Sequence, residues 1–537
     1  MCVAVYNSGR MFIKKTKVRS GKEVHTYLQL VESVWKDGRP THRVVASLGR
    51  EDRLSPGQVD RLIASLAPYS LKGAPVAEPV DVVETREYGT LLVLEHLWKS
   101  LGLDRLLGSL AEGRSFAFDL EAAVRAMVFA RVLEPSSDRG VLRWAKQVWV
   151  PGLEQLKLQH LYRSLDFLSE AKEDIEARLL QILTQQLMAD VRLVLFDTTS
   201  VYLEGDGPKE LAQFGYSRDK RPDRRQFILG LLTSQEGLPL AHVLMPGSTS
   251  DLAAMQEAIS WISSSLPVSE VIVVADRGMV STDNLKALEG AHIRYIVGTR
   301  LRHLSTRKAL ARAGRYKVVA KNLRVKEAWL DGKRYVVCLN PQEAERDRSE
   351  RAGIVAHIEK QIASGAKSLL KGAARRYVSF KGQEASLNRK RIAEDAQYDG
   401  KWVLLTTTDL PPEKVAESYK GLWRVERAFR TLKTPLELRP VYHWTESRVR
   451  GHVMVCVLAY LLERLLEHRL EKAGLALSAA EALGTVSSLK TVKIELASRA
   501  SWRLTRPADE AKHLLAKLGL ELPARLSLEP ASGKGKR

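Results

Sequence analysis

Apolar positions along the chain follow three successive patterns. Over residues 25–49, Val- and Leu-containing runs flank Asp37-Gly38-Arg39-Pro40, which predicts a β-hairpin around a turn cluster. A short helix is expected at 55–68 and a linker over 69–83, where Gly73, Pro75 and Pro79 gather. From 87 to 190 apolar residues recur at spacings of three and four. Leu91-Leu92-Leu94-Leu97, Ala122-Ala123-Ala126-Met127 and Leu179-Leu180-Ile182-Leu183 carry this period, which predicts an all-helical module.

Near-continuous apolar runs come next. Leu193 to Phe196 reads as a strand ending in Asp197, and Val271 to Ala275 as one ending in Asp276. Phe227 to Leu232, Leu238 to Met245 and Tyr295 to Val297 read as further strands, with helices at 251–264 and 281–289. Such runs belong to a sheet covered on both faces, and the order of elements is α/β. Residues 299–400 interrupt it with one clear hairpin, where Asp331-Gly332 separates Trp329-Leu330 from Tyr335-Val336-Val337. Val403 to Thr406 returns to the sheet, and one long helix is expected between Pro411-Pro412 and Thr434-Pro435. A second spans about 446–472. Its run Val453 to Leu462 is too short for a membrane span of about twenty residues, so it reads as a core helix and no membrane partner is expected. The end, Ser532 to Arg537, reads as a disordered basic tail.

Composition sharpens this picture. The 537 residues exceed one ordinary core and suggest three to four units; 45% are apolar and 27% charged, as in globular chains. The expected division is 1–80, 81–190, 191–298, 299–400, 401–475 and 476–537. Net charge is +21, and it clusters: residues 1–50 carry a net +7 and residues 300–391 a net +16. That clustering suits a polyanion, because each neutralised phosphate releases counterions. Cys2, Cys338 and Cys456 are far apart and the twelve histidines form no zinc-type spacing, so a reducing cytoplasm is expected. Met1 to Lys15 lacks the apolar stretch of a secretory signal.

Three carboxylates stand out. Asp197 and Asp276 each follow an all-apolar strand, and strand ends converge on the cleft of open α/β sheets. Singly, each is equally well read as a cap or turn residue. Glu426 lies in a helical stretch from Tyr419 to Lys433, where it stacks with Leu422, Trp423, Phe429 and Arg430. A Glu on such a stripe is expected to face inward and to need a partner, a metal ion or an arginine; a Glu426–Arg430 surface pair is the plainer reading. Gly421 weakens the helix there, which close approach of another backbone would explain. Three carboxylates without a histidine cluster select a hard cation, magnesium or manganese, and two such ions suit phosphodiester chemistry.

At these residues the chain resembles the DDE transposases of bacterial insertion sequences, in the group with a Y-R-E-K signature. Tyr419, Glu426 and Lys433 match the signature spacing, while Leu422 stands where that group has Arg; Arg424 is the nearest substitute. The strands ending in Asp197 and Asp276, and the segment Tyr216-Ser217-Arg218-Asp219-Lys220-Arg221-Pro222-Asp223, are similar too. The resemblance spans about 190–465. It implies an RNase H-like α/β core interrupted by a strand-rich insertion, preceded by an N-terminal β-hairpin region and an all-helical module. It further implies that Asp197, Asp276 and Glu426 hold two Mg2+ ions, with Mn2+ able to substitute, and that Tyr419 and Lys433 contact DNA near the cleaved end. Arg277, Arg424 and Arg430 are further candidate DNA contacts, and Trp329 could stack on an unpaired base; a salt bridge for Arg277 and simple packing for Trp329 are the plainer alternatives. Double-stranded DNA and a second copy of the chain are the implied partners. Two other functions stay open: a catalytically silent DNA-binding descendant, and a nuclease that hydrolyses without joining.

Overall fold

The computed structural model describes residues 11–20, 23–36, 39–69, 81–150, 152–185, 191–267, 270–364, 374–381, 384–496 and 499–523. The turn at Asp37-Gly38, most of the expected linker and the basic tail lie outside them. The chain divides into two units, Met1–Val83 with Lys493–Ser501, and Glu84–Val492 with Trp502–Arg537. Length alone suggested three to four cores; within the second unit one apolar core runs unbroken from Leu91 to Leu515.

In the first unit, β1 (Met11–Ser20), β2 (Glu23–Lys36) and β3 (Arg39–Arg50) form an antiparallel sheet of three strands, not a two-stranded hairpin. β1 escaped the pattern reading because Lys14, Lys15, Lys17 and Arg19 interrupt its apolar residues, and Phe12, Ile13 and Val18 are exposed. A helix at Pro56–Leu66 follows, entered through a Ser55–Gln58 capping box.

The second unit begins with six helices that follow β4 (Asp81–Glu87): Gly89–Ser100, Leu103–Ala111, Leu120–Leu133, Asp138–Trp144, Leu158–Glu170 and Lys172–Gln185. The strands come next: β5 (Leu193–Tyr202), β6 (Gln226–Thr233), β7 (Pro239–Pro246), β8 (Ile272–Ala275), β9 (Arg294–Gly298), β10 (Lys317–Ala320), β11 (Leu323–Leu330) and β12 (Lys333–Leu339). After the small hairpin of β13 (Val378–Lys381) and β14 (Glu384–Leu387) comes β15 (Lys401–Thr406). One mixed sheet of nine strands results, in the order β10-β11-β12-β15-β9-β8-β5-β6-β7. All eight residues of β6 are buried, as its continuous apolar run requires. β5 pairs with β8 and β8 with β9 in parallel, while β6, β7, β12 and β15 join antiparallel.

This topology corrects the expected insertion. Its strands β10 to β12 extend the central sheet through β15, and its largest element is a helix, Pro341–Ala363. The β11–β12 turn has Asp331 at φ 51° and Gly332 at φ 73°, the left-handed pair that a tight two-residue turn needs. The net charge of this segment is also less free than the count implied. Arg302, Arg351, Arg376 and Lys317 pair with Asp395, Asp399, Asp395 and Glu413, acids just beyond residue 391.

Glu446–Lys472 is the axis of the unit. Sixteen of its residues are buried, and it packs on helices Leu120–Leu133 and Leu158–Glu170 as well as on β7. Gly451 permits the crossing, since a Cβ there would lie 2.1 Å from the Leu165 carbonyl oxygen. Among the described residues no helix is long and apolar enough to cross a membrane. The C-terminal part carries helices at Ala479–Val486 and Asp509–Lys517 and strands at Lys490–Leu496 and Arg499–Leu504.

Candidate functional site

Strand register builds the site. Parallel pairing of β5 with β8 ends at Phe196 opposite Ala275, so the next residue on each strand is an aspartate, Asp197 and Asp276. β8 stops there, as expected. β5 does not: it continues to Tyr202 because Leu195 to Tyr202 are also paired with β6, so Asp197 lies within the strand. Both strands are apolar up to this level, which fixes their depth in the core and holds the carboxylates at one height.

A third group reaches them from the helix Pro412–Lys420. The Tyr419 hydroxyl donates to Asp276 Oδ1 at 2.8 Å. Gly298 makes room, because a Cβ there would meet the Tyr419 oxygen at 2.4 Å. Burial, with the Asp276 charge beside it, holds the Tyr419 phenol well above its ordinary pKa. It therefore stays a donor at any working pH.

Two residues that the sequence reading left without a role complete the surroundings. Arg218 donates to Asp251 Oδ1 at 2.8 Å and lies 3.8 Å from Asp197 Oδ1; its guanidinium also donates to the Thr198 carbonyl. The Thr198 hydroxyl donates to the same Asp251 oxygen at 2.8 Å. Asp251 is the first residue of the helix Asp251–Ser265, after Ser250 at its cap, a signal that reads as helix start rather than site. Burial pushes the Asp197 carboxyl up to about 6, with repulsion from Asp276 and Asp251 adding to it, while the Thr198 N–H and Arg218 pull the other way. Around Asp197, repulsion from two carboxylates thus adds to burial and outweighs the relief from Arg218.

The remaining candidates lie as follows. The expected long helix is two, Pro412–Lys420 and Trp423–Lys433, with Gly421 and Leu422 between them. A Cβ on Gly421 would approach Ser418 of its own turn, Arg424 and the Leu195 side chain, so no other backbone explains this glycine. The buried stripe is Val425, Ala428, Phe429 and Leu432, and both Trp423 and Glu426 are exposed. The expected inward stripe is therefore turned by roughly a quarter of a helical turn, because Trp423 covers surface rather than core. Its helix packs on β5, the strand of Asp197. No Glu426–Arg430 ion pair is present among the described residues, nor a group of three His, Cys, Asp or Glu side chains placed to hold a metal ion.

Lys433 is largely buried and bonded to Asp219 Oδ1 at 2.8 Å, an oxygen it shares with Arg439 at the same distance. Burial lowers its pKa and Asp219 opposes that. Arg277 is exposed beside Asp276 and lines a cavity of about 330 Å3 with Arg300 and Lys333. Arg424 stacks on the Trp423 ring at 5.1 Å, and Arg430 is exposed. Trp329 is 59% exposed on β11, opposite Arg334.

Comparison with known proteins adds a family to this geometry. Residues 190–462, just over half of the chain, match the model of the transposase DDE domain. Residues 13–76 match that of the N-terminal domain of the IS1634 family transposases. No curated protein matches the chain. Among solved structures, a cryo-EM structure of the piggyBac transposase synaptic complex with hairpin DNA aligns with a TM-score of 0.39 at 8% identity, covering 74% of this chain and 79% of that one.

Proposed function

The chain belongs to the DDE-domain transposases, and from that premise we propose that it cuts DNA at the ends of an insertion element and joins the freed ends to target DNA, with Asp197, Asp276 and Glu426 as its metal-holding carboxylates. The observation that carries this reading is the register that sets Asp197 beside Asp276, with Tyr419 bonded to the second. Glu426 rides on a helix that packs against β5, exposed and without an ion pair among the described residues, so no ion pair holds its carboxylate away from a metal ion.

Divalent-metal dependence follows from the family; magnesium, and two ions, are our own assignment. The donors are of the type a hard cation takes. All three donors are carboxylate oxygens, and Asp197 and Asp276 crowd charge where a cation would relieve it. A bound ion pair would activate the attacking oxygen and offset charge on the leaving one. The chain's own groups do the rest. Tyr419 fixes the orientation of Asp276. Arg218 spans Asp197 and Asp251 and partly balances them while no stronger cation is present. Arg277, exposed beside Asp276, is placed to meet a phosphate.

In this reading the nine-stranded sheet contains an RNase H-like core and Tyr419, Glu426 and Lys433 form a Y-R-E-K signature that lacks its Arg. The basic N-terminal segment 1–80 contacts DNA, two copies hold two ends, and the protein works in the cytoplasm, with Mn2+ able to replace Mg2+. Arg424, Arg430 and Trp329 remain assigned to DNA. The test is cleavage and joining of a duplex carrying the element's own end, in Mg2+ and in EDTA. Cleavage that persists in EDTA would refute the metal mechanism.

A further inference from the structure

A hollow lined by Lys433 carries charges that are the reverse of those around Asp197. It is a cavity of about 670 Å3 walled by the helices Leu120–Leu133, Asp138–Trp144 and Leu158–Glu170, the end of β5 and the segment after Lys433. Arg131 is the feature that demands an explanation. It follows Met127 by four residues on the buried face of its helix, is only 8% exposed, and unlike Arg125 of the same helix has no ion pair among the described residues. Among the described residues it has no carboxylate within ion-pair distance; its one hydrogen bond is to the Glu437 carbonyl, at 3.4 Å. A buried guanidinium without an anion is costly.

Two independent observations agree with an absent anion. The Ser136 hydroxyl, in the same wall, is buried without a hydrogen-bond partner. Lys433 and Arg439 share a single carboxylate oxygen, that of Asp219. The wall does contain acids. Asp138 lies 3.8 Å from His443; burial raises its pKa, while the charges of His443 and Arg131, the latter beyond ion-pair distance, pull it down. Glu437 is exposed. Against them stand Arg131, Arg139, Lys433 and Arg439. Tyr162, Tyr202 and Tyr442 supply aromatic surface, and the volume is that of a small-ligand site, ample for a nucleotide unit.

Neighbouring residues of one segment bind the cavity wall and the carboxylates. Asp219, which holds Lys433 and Arg439, is the neighbour in sequence of Arg218, which holds Asp197 and Asp251. We propose that this cavity is a phosphate subsite: Arg131 and Ser136 receive one backbone phosphate of the DNA strand engaged at the Asp197–Asp276 site, with Arg139 and Arg439 completing its coordination. The proposal rests on the transposase reading for the identity of its occupant, and on Arg131 for its chemistry.

The experiment uses the full chain and two probes, inorganic phosphate and a duplex of arbitrary sequence. In thermal melts at constant ionic strength, phosphate is expected to raise the Tm of the parent above its value in chloride, and Arg131→Met to abolish that rise. In chloride alone, Arg131→Met is expected to melt at or above the parent, because it removes an uncompensated buried charge; a merely structural arginine would lower the Tm. With duplex, Arg131→Met should reduce the slope of log affinity against log salt by about 0.9, the value for one phosphate contact, while Arg131→Lys keeps the slope. Arg139→Gln, at an exposed position, carries the same phosphate test without disturbing the core, and it should shrink the Tm rise. A parent that melts alike in phosphate and chloride, or an Arg131→Met variant that keeps both the rise and the slope, overturns the subsite. If those effects fail while the parent cuts element-end DNA in Mg2+, the subsite falls and the transposase reading stands. If the phosphate effect holds but the duplex slope does not change, the anion site stands and DNA as its occupant is overturned.

Discussion

Two regions of the second unit, the Asp197–Asp276 site and the cavity at Arg131, face opposite electrostatic problems within one core. Where β5 and β8 run side by side, Asp197 and Asp251 share one guanidinium, Arg218, Asp276 takes the Tyr419 hydroxyl, and burial drives Asp197 toward its neutral form. In the cavity lined by Lys433, Arg131 is buried without an ion pair among the described residues, and Lys433 and Arg439 share the single acid Asp219. One is short of cations and the other short of anions. Stability alone would have paired them or replaced them with apolar side chains, since buried charges rarely stabilise a fold unless well compensated. Unbalanced charge of both signs, a residue apart in sequence at Arg218 and Asp219, is what a site for a metal and a phosphodiester requires.

The largest way to break this comparison is to empty the acidic side. Asp197→Asn and Asp276→Asn should each lower cleavage by more than about a hundredfold, since even partners of metal ligands are worth roughly 10- to 100-fold. Gel assays on element-end DNA would read it, and cleavage within a few-fold of the parent would remove that residue from the site. A smaller effect is expected one step out. Tyr419→Phe, and Gly298→Ala by pushing the Tyr419 hydroxyl away, should each cost about 10- to 100-fold. If the two behave differently, Tyr419 acts through something other than its bond to Asp276.

Stability sharpens the comparison further. The native pKa of Asp197 lies above its unfolded value, so the ionised form costs stability. That cost is absent below about pH 4, grows as pH rises through about 6 and is full above it. Asp197→Asn should therefore stabilise the metal-free protein by about 1 to 2 kcal/mol at pH 8 and by nothing at pH 4. Denaturant melts at the two pH values decide; equal gains would mean the carboxyl is not held neutral. The smallest effect belongs to the basic segment 300–391. With Lys317, Arg302, Arg351 and Arg376 already paired, neutralising those four should flatten the salt dependence of DNA binding less than neutralising four that lack ion pairs.

What was legible in the sequence was what short-range pattern controls. Continuous apolar runs located the central strands from 193 to 298 and the return at 403–406, because a sheet buried on both faces tolerates little else. Asp331-Gly332 marked its hairpin because few residues accept positive φ twice in succession. Asp197 and Asp276 were visible as polar residues following such runs. Other features depend on partners far along the chain. That β5 continues past Asp197 is decided by β6, and that β10 to β12 extend the sheet is decided by β15. The facing of Glu426 was misread because Trp423, taken as core, lies at the surface. Arg131, in contrast, was readable: a charged residue four positions from Met127 on an apolar stripe is a local anomaly.

Glu426 is the carboxylate that fold geometry supports least, and metal-dependent cleavage stands or falls with it. Glu426 is exposed, so Glu426→Gln should leave folding nearly unchanged, and removing a negative charge cannot weaken attraction to phosphate. Cleavage and joining of element-end DNA by this variant and the parent, side by side in Mg2+, is the measurement. The expected result is a variant that binds the duplex as the parent does and neither cuts nor joins it. A Glu426→Gln protein that cuts and joins as well as the parent would contradict the claim.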